Sequence, residues 1–277
     1  MRPAPAARSG RGLSEAQTVG QVVFIGAGPG AADLITLRGA QRLATAEVVL
    51  FDALTDPALR ELAPQARWID VGKRGFRQAT GQAVIDALLV TLARRHAVVV
   101  RLKGGDPSLF GRLEEELAAL AAHGIACEVV PGITAAIAAA AATRRPLTRR
   151  GRGRSVSLAT AMTREGLLQA GQRADTEVFY MVGRHLGALG RRLQAAGWPA
   201  QAPVCVVSCA DSPDQLASDH TPATLAAAAL LHAGRPTVVI VGAGARPVAG
   251  CSSDVPSPAH FRPQHERGQD SVETRAV

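Results

Sequence analysis

The sequence predicts an α/β protein of two lobes, the first built on a mainly parallel sheet and the second a further α/β lobe. Three observations predict it. Short apolar runs alternate with stretches of helical period, and the early runs end in glycine-rich loops, as buried parallel strands do. An arginine-dense segment then interrupts the alternation near the middle of the 277 residues.

In chain order, QVVFIG (21–26) reads as a buried strand, followed by a helix over about 33–45 and a strand VVLF at 48–51. A strand is expected near Arg67–Val71. A helix over about 81–95 places Val84, Ile85, Leu88, Leu89 and Leu92 on one face. AVVVRL (97–102) is the next strand, a helix follows from about Arg112 to His123, and ACEVV (126–130) precedes an alanine-rich helix after Gly132. The stretch TRRPLTRRGRGR (143–154) reads as an exposed connection between lobes. Beyond it, strands are expected near Ser155–Thr160, Glu177–Met181, Pro203–Ser208 and Thr237–Val241, with helices over about 164–171, 184–196 and 222–233. The lobes therefore span 20–148 and 149–246. Residues 1–19 read as a flexible tail, and the polar, aperiodic stretch 247–277 as a disordered one.

Composition narrows the function. A hydrophobic fraction of 47% fits a globular enzyme, and no apolar run approaches the roughly 18–20 residues that span a bilayer. The N-terminus has no apolar core of a secretory signal, so a cytoplasmic protein with reduced thiols is expected. Cys127, Cys205, Cys209 and Cys251 lack metal-ligand pairing, and no metal is expected. The net charge of +8 implies an anionic partner. Aromatic stacking platforms for nucleic acid are scarce, since Tyr180 is the only tyrosine and Trp68 and Trp198 stand alone.

Two loops carry the chemistry. Gly26-Ala27-Gly28-Pro29-Gly30-Ala31 follows a strand and fits GxGxxA, with Asp52 at the end of the next strand, which makes a nicotinamide enzyme a first guess. Pro29 counts against it, because it stiffens the loop and removes an N–H that a pyrophosphate would use. So does a second loop, Arg101-Leu102-Lys103-Gly104-Gly105-Asp106-Pro107. Its paired glycines admit a ligand close to the backbone, and Asp106 offers a carboxylate.

GAGPG at 26–30, Phe51-Asp52, VGKR at 71–74, RLKGGDP at 101–107, FGR at 110–112, VVPGITAA at 129–136 and Phe179-Tyr180-Met181 together resemble the uroporphyrinogen-III C-methyltransferases of the tetrapyrrole methylase superfamily. The resemblance runs over about residues 20–246. It implies S-adenosylmethionine folded between two α/β lobes, the C-terminal one built on a mixed sheet, with S-adenosylhomocysteine as its product. It also implies methylation of two pyrrole carbons of uroporphyrinogen III to give precorrin-2, by a homodimer. Carried over by motif, Pro29, Gly104, Gly105, Asp106, Leu109, Thr134, Ala135, Met181 and Ala210 line the cofactor site. Asp52 is the implied proton acceptor, Lys73 the donor, and Arg112 the holder of substrate carboxylates, with Arg101, Arg149, Arg150 and Arg152 as further candidates.

The cofactor loops are intact, while departures fall on the implied substrate side: Ala53 after Asp52, Gln78, Leu113 after FGR, Arg149 in PLTRRG, and Met162. A methylase of a later corrinoid precursor, an RNA methyltransferase of the same fold and a non-catalytic S-adenosylmethionine-binding protein are the rival readings. No second, siroheme-forming module is expected in this length of chain.

Overall fold

The structure, a computed structural model, describes residues 19–72, 81–160 and 174–250. Lys73, Gln78, Met162, the helix expected at 164–171 and nearly all of both expected tails lie outside the described residues.

The first sheet has five strands, β1 (Gln21–Gly26), β2 (Val48–Phe51), β3 (Arg67–Asp70), β4 (Val98–Lys103) and β5 (Cys127–Val130), in the order β3-β2-β4-β1-β5. Every pairing in it is parallel. The central strands are apolar throughout because both faces are covered. On β1, Val22 and Phe24 enter one core while Val23 and Ile25 enter the other. Helices α1 (Leu37–Ala44), α2 (Gln82–Ala93) and α3 (Leu113–Ala121) cover this sheet, and α4 (Ala135–Ala142) leads away from it.

The second sheet orders β6 (Val156–Thr160), β7 (Thr176–Tyr180), β8 (Val204–Ser208), β9 (Leu216–His220) and β10 (Thr237–Gly242) as β6-β7-β10-β8-β9. Only β6 and β7 run parallel, so this sheet is mixed. One face packs under α5 (Leu186–Ala195) and α6 (Ala228–His232). The other receives Ala136, Ala138 and Ala139 of α4, whose small side chains let the helix lie close to Val178, Val207 and Ile240.

Local details depart from the sequence reading. The helix expected at 33–45 is broken into a 3-10 turn, Ala32–Leu34, and α1, because the Thr36 hydroxyl accepts the Gly39 N–H (3.1 Å) and caps a new start. On α2 the buried residues are Ile85, Leu89, Val90, Leu92 and Ala93, with Leu88 partly buried. Val84, expected in that core, is 58% exposed. The strand β9 (LASDH) was not expected, since a short polar edge strand has little apolar signal. The arginine-rich connection is not simply exposed: Arg145 and Leu147 are buried. Arg145 donates to Asp219 Oδ2 (2.8 Å) and the Ala245 carbonyl (2.8 Å), and Leu147 joins the α4 core. Among the described residues no helix is long and apolar enough to cross a membrane.

Candidate active site

The strand order brings together loops that are far apart in sequence. β1 lies between β4 and β5, and β2 lies beside β4, so the segments after all four strands meet at one sheet edge. They form one wall of a cavity of about 1070 Å³, whose other wall comes from the ends of β7, β8 and β10. Pro29, Gly104, Gly105, Asp106, Leu109, Thr134, Ala135, Met181 and Ala210 all line it, as does Asp52.

The glycine loops are fastened to each other. Gly28 and Gly105 form an isolated antiparallel bridge, with Gly105 N–H donating to the Gly28 carbonyl (2.7 Å) and Gly28 N–H donating back (3.3 Å). Those two N–H groups are therefore spent within the protein and cannot cradle a phosphate. A side chain at Gly132 would bring a Cβ within 2.3 Å of the Gly105 carbonyl oxygen and 2.7 Å of Gly26 Cα, so only glycine permits this approach. Asp106 then staples the loops: Oδ2 accepts the Gly132 N–H (2.9 Å) and Oδ1 the Ser108 N–H (2.8 Å). Together with a strand order other than 3-2-1-4-5, this removes the nicotinamide reading.

Beneath the cavity lies a charge cluster. Glu116 of α3 is 0% exposed and accepts from Arg101 Nε (3.1 Å) and Lys103 Nζ (2.7 Å), which are themselves 4% and 3% exposed. The far end of Arg101 reaches Asp52, with Nη2 3.7 Å from Oδ2. Asp52 also accepts the Gly104 N–H (3.3 Å) and the Thr55 hydroxyl (3.4 Å). Burial pulls the Lys103 ammonium below the usual lysine range and Arg101 adds to this, while Glu116 and Asp52 pull it back.

Across the cavity, the Tyr180 hydroxyl lies 2.7 Å from Thr134 Oγ1 and accepts the Ala136 N–H (3.3 Å) at the start of α4. Its ring tilts against Phe110 at 5.0 Å. Burial raises the phenol's pKa above its ordinary value, against the opposing pull of the Thr134 and Ala136 hydrogen bonds. Phe110, Met181 and Cys209, all lining the cavity, hold left-handed backbones (φ 55°, 58° and 49°), a strain of the kind that gathers at binding sites. Met181 is 49% exposed, so it is not an ordinary core methionine.

Not every expected residue joins this group. Arg112 does not line the cavity; it precedes α3 with φ 55°, and its guanidinium forks onto Glu115 (2.8 and 2.6 Å). Arg101 is committed to Glu116 and Asp52 and has no face for a substrate carboxylate. Arg149 donates to the carbonyls of Arg246 and Pro247. Lys103, Glu116 and Tyr180 were missed as site residues. Lys103 and Tyr180 stood inside the quoted motifs, where a lysine ending a buried strand was the available signal. Glu116 had no such signal, because one more glutamate in a helix of acidic residues looks solvated.

A two-lobed fold with this cavity at the strand ends is that of a methylase, and the chain belongs to the tetrapyrrole (corrin/porphyrin) methylases, whose family profile matches residues 21–226. It is similar to a uroporphyrinogen-III C-methyltransferase of Synechocystis sp., at 40% identity over 234 residues, 81% of this chain and 89% of the relative. Among solved structures it resembles a uroporphyrin-III C-methyltransferase from Thermus thermophilus complexed with S-adenosylhomocysteine. That match has 34% identity, covers 80% of this chain and 97% of the other, and has a TM-score of 0.71. It also resembles a cobalt precorrin-4 methyltransferase of cobalamin biosynthesis, at 27% identity, 82% and 96% coverage and a TM-score of 0.72.

Proposed function

We propose that this chain transfers methyl groups from S-adenosylmethionine to two pyrrole carbons of uroporphyrinogen III, giving precorrin-2. The observation that carries the reading is the cavity, where the glycine loops, an apolar wall and the Asp52 carboxylate meet. The space and lining suit the donor. A Cβ at Gly104 would meet Leu54 Cβ at 3.1 Å and Asp52 Oδ1 at 3.6 Å, so glycine there keeps open a wedge beside the carboxylate. Leu109, Met181 and Ala210 offer apolar surface to the uncharged adenine ring of such a ligand.

When bound, S-adenosylmethionine supplies a methyl group already activated by its sulfonium charge. The protein's own task is positioning and exclusion of water, which the two cavity walls perform. Asp52 is the proposed acceptor of the proton that the macrocycle gives up, a reading supported by its carboxylate lining the cavity while it accepts from Gly104 N–H and the Thr55 hydroxyl. Arg112 and the exposed Arg150 and Arg152 serve the substrate carboxylates from outside the cavity, Arg112 by exchanging Glu115 for substrate. Lys73 is the proposed proton donor. The protein is proposed to act as a homodimer in the cytoplasm, with lobes dividing near residues 148–149. A second reading, methylation of another corrinoid precursor, is favoured by the likeness to the precorrin-4 enzyme and by Ala53 in the cavity wall.

Anaerobic incubation with S-adenosylmethionine and uroporphyrinogen III, followed by mass spectrometry, tests the proposal. A gain of two methyl groups supports it. Binding of S-adenosylhomocysteine without methylation of this tetrapyrrole overturns the substrate assignment.

A further inference from the structure

Acidic groups outnumber free cations around the cavity. Asp52, Asp56, Asp106 and Asp214 line it, while among the described residues Lys103 and Arg184 are the cations that do. Lys103 is held by Glu116 at 2.7 Å. Arg184 is exposed, and among the described residues its guanidinium has no hydrogen-bond or ion-pair partner. Its backbone, by contrast, is fixed. Met181 turns the chain away from β7 with its left-handed φ of 58°. His185 N–H then donates to the Val182 carbonyl (2.8 Å), closing a tight turn with Gly183 and Arg184 at its tip. Val182 and Leu186, on either side of the turn, are buried. A Cβ at Gly183 would lie 2.9 Å from the Arg235 carbonyl and 3.1 Å from Thr237 Oγ1, so the turn is pressed against the start of β10. A cation on a fixed turn at the cavity rim, with no group to neutralise it, is placed to meet an anion of the ligand.

We propose that Arg184 is a specificity residue that takes a carboxylate of the tetrapyrrole at the cavity rim. This rests on the proposed substrate. A guanidinium grips a carboxylate through two parallel N–H groups, and other arginines near the site are engaged elsewhere. Arg101 is bound to Glu116 and lies beside Asp52, Arg112 is forked onto Glu115 outside the cavity, and Arg149 is bonded to main-chain carbonyls. Ala53 lines the cavity and offers no charge, which leaves Arg184 as the free cation within it. Uroporphyrinogen III is an octacarboxylate without a cation of its own, so the aspartates of the lining repel it wherever no free cation stands. The methyl donor is the poorer partner. Its single carboxylate sits beside its own ammonium, and a guanidinium repels its sulfonium.

The test measures binding of uroporphyrinogen III to the full chain saturated with S-adenosylhomocysteine, by anaerobic equilibrium dialysis, so that no methyl transfer intervenes. Arg184→Gln is expected to weaken it by about threefold to tenfold, between the worth of an exposed ion pair and of a partly desolvated one. Arg184→Lys keeps the charge without the fork and is expected to fall between the two. Raising the salt from about 0.05 M to about 0.5 M is expected to shrink the difference between Arg184→Gln and the unaltered protein, because an exposed charge is screened. S-adenosylhomocysteine affinity, read by calorimetry, is expected to stay within about twofold. Arg191→Gln removes the same charge from an exposed position on α5 that does not line the cavity, and is expected to bind like the unaltered protein. Unchanged tetrapyrrole binding in Arg184→Gln overturns the inference. So does an equal loss in Arg191→Gln, which reduces the effect to net charge, or a loss confined to S-adenosylhomocysteine, which gives Arg184 to the donor. If the unaltered protein does not bind uroporphyrinogen III, this inference and the proposed function fall together. If it binds with the Arg184 difference but transfers no methyl group from S-adenosylmethionine, the proposed function alone falls.

Discussion

Asp106 can be replaced by the isosteric asparagine to ask how much of the proposed cofactor site depends on one carboxylate. In the folded protein its two oxygens each accept a backbone N–H, from Gly132 at 2.9 Å and from Ser108 at 2.8 Å. Hydrogen bonds to a charged group contribute about 1.5–3 kcal/mol each. Asparagine keeps one acceptor without its charge and turns an NH2 donor toward the other N–H, so one bond is lost and the second is weakened. The expected cost is about 2–3 kcal/mol, which for a protein of this size lowers Tm by about 5–10 °C. The two bonds are not equivalent. The Ser108 bond is a local turn, whereas the Gly132 bond spans 26 residues and joins the loops after β4 and β5. If half the cost appears as displacement of these loops, S-adenosylhomocysteine binding weakens about tenfold. Isothermal titration calorimetry and thermal denaturation read both numbers. An Asp106→Asn protein with unchanged Tm and unchanged affinity would show that the staple does not hold the site, and the account of the loops would fail.

Three further outcomes follow from the same geometry. Gly132→Ala forces a Cβ against the Gly105 carbonyl and Gly26 Cα, and is expected to destabilise by about 1–3 kcal/mol and abolish detectable cofactor binding, read by calorimetry. Tyr180→Phe keeps the ring against Phe110 but loses the hydroxyl that joins Thr134 to the start of α4; affinity for S-adenosylhomocysteine is expected to fall about threefold to tenfold, roughly the worth of one buried hydrogen bond. His232 is buried between Ser208 and Ser218, at 2.6 and 2.8 Å, and burial, then His220 and Arg235, hold its pKa below the ordinary imidazole value. Below about pH 6.5 the unfolded chain therefore binds a proton that the folded chain resists, and stability drops as pH falls through that window. Tm is expected to be lower at pH 5.5 than at 7.5. His232→Asn should flatten that slope, with a remainder from His220, which shifts the same way; identical slopes would refute it.

The elements that could be read from sequence were those whose own residues decide them. β1, β2 and β10 are unbroken apolar runs buried on both faces, and they fall where expected. The break before α1 depended on one capping hydroxyl, and β9 on pairing with β8, neither of which periodicity reports. Arg145 shows the same limit from the other side. The five other arginines of its segment look solvated in sequence, as it does, yet a carboxylate 74 positions away and a carbonyl 100 positions away draw its guanidinium inside.

The site was legible to a different degree for a related reason. GAGPG looks like a phosphate loop when read alone, because a short motif states which backbone freedom is available and not what fills it. The order β3-β2-β4-β1-β5 decides the matter: it sets β4 beside β1, so the two loops pair with each other and use up the N–H groups that a phosphate would need. The same order sets β2 beside β4, so Asp52 meets the Gly104 amide and the Arg101 guanidinium. A carboxylate that sequence places near a nucleotide's ribose is thereby placed in a charge cluster at the floor of a cavity. The chemistry of this protein is fixed less by its motifs than by which strands are neighbours, and that is why Lys103 and Glu116 become visible only once the sheet is assembled.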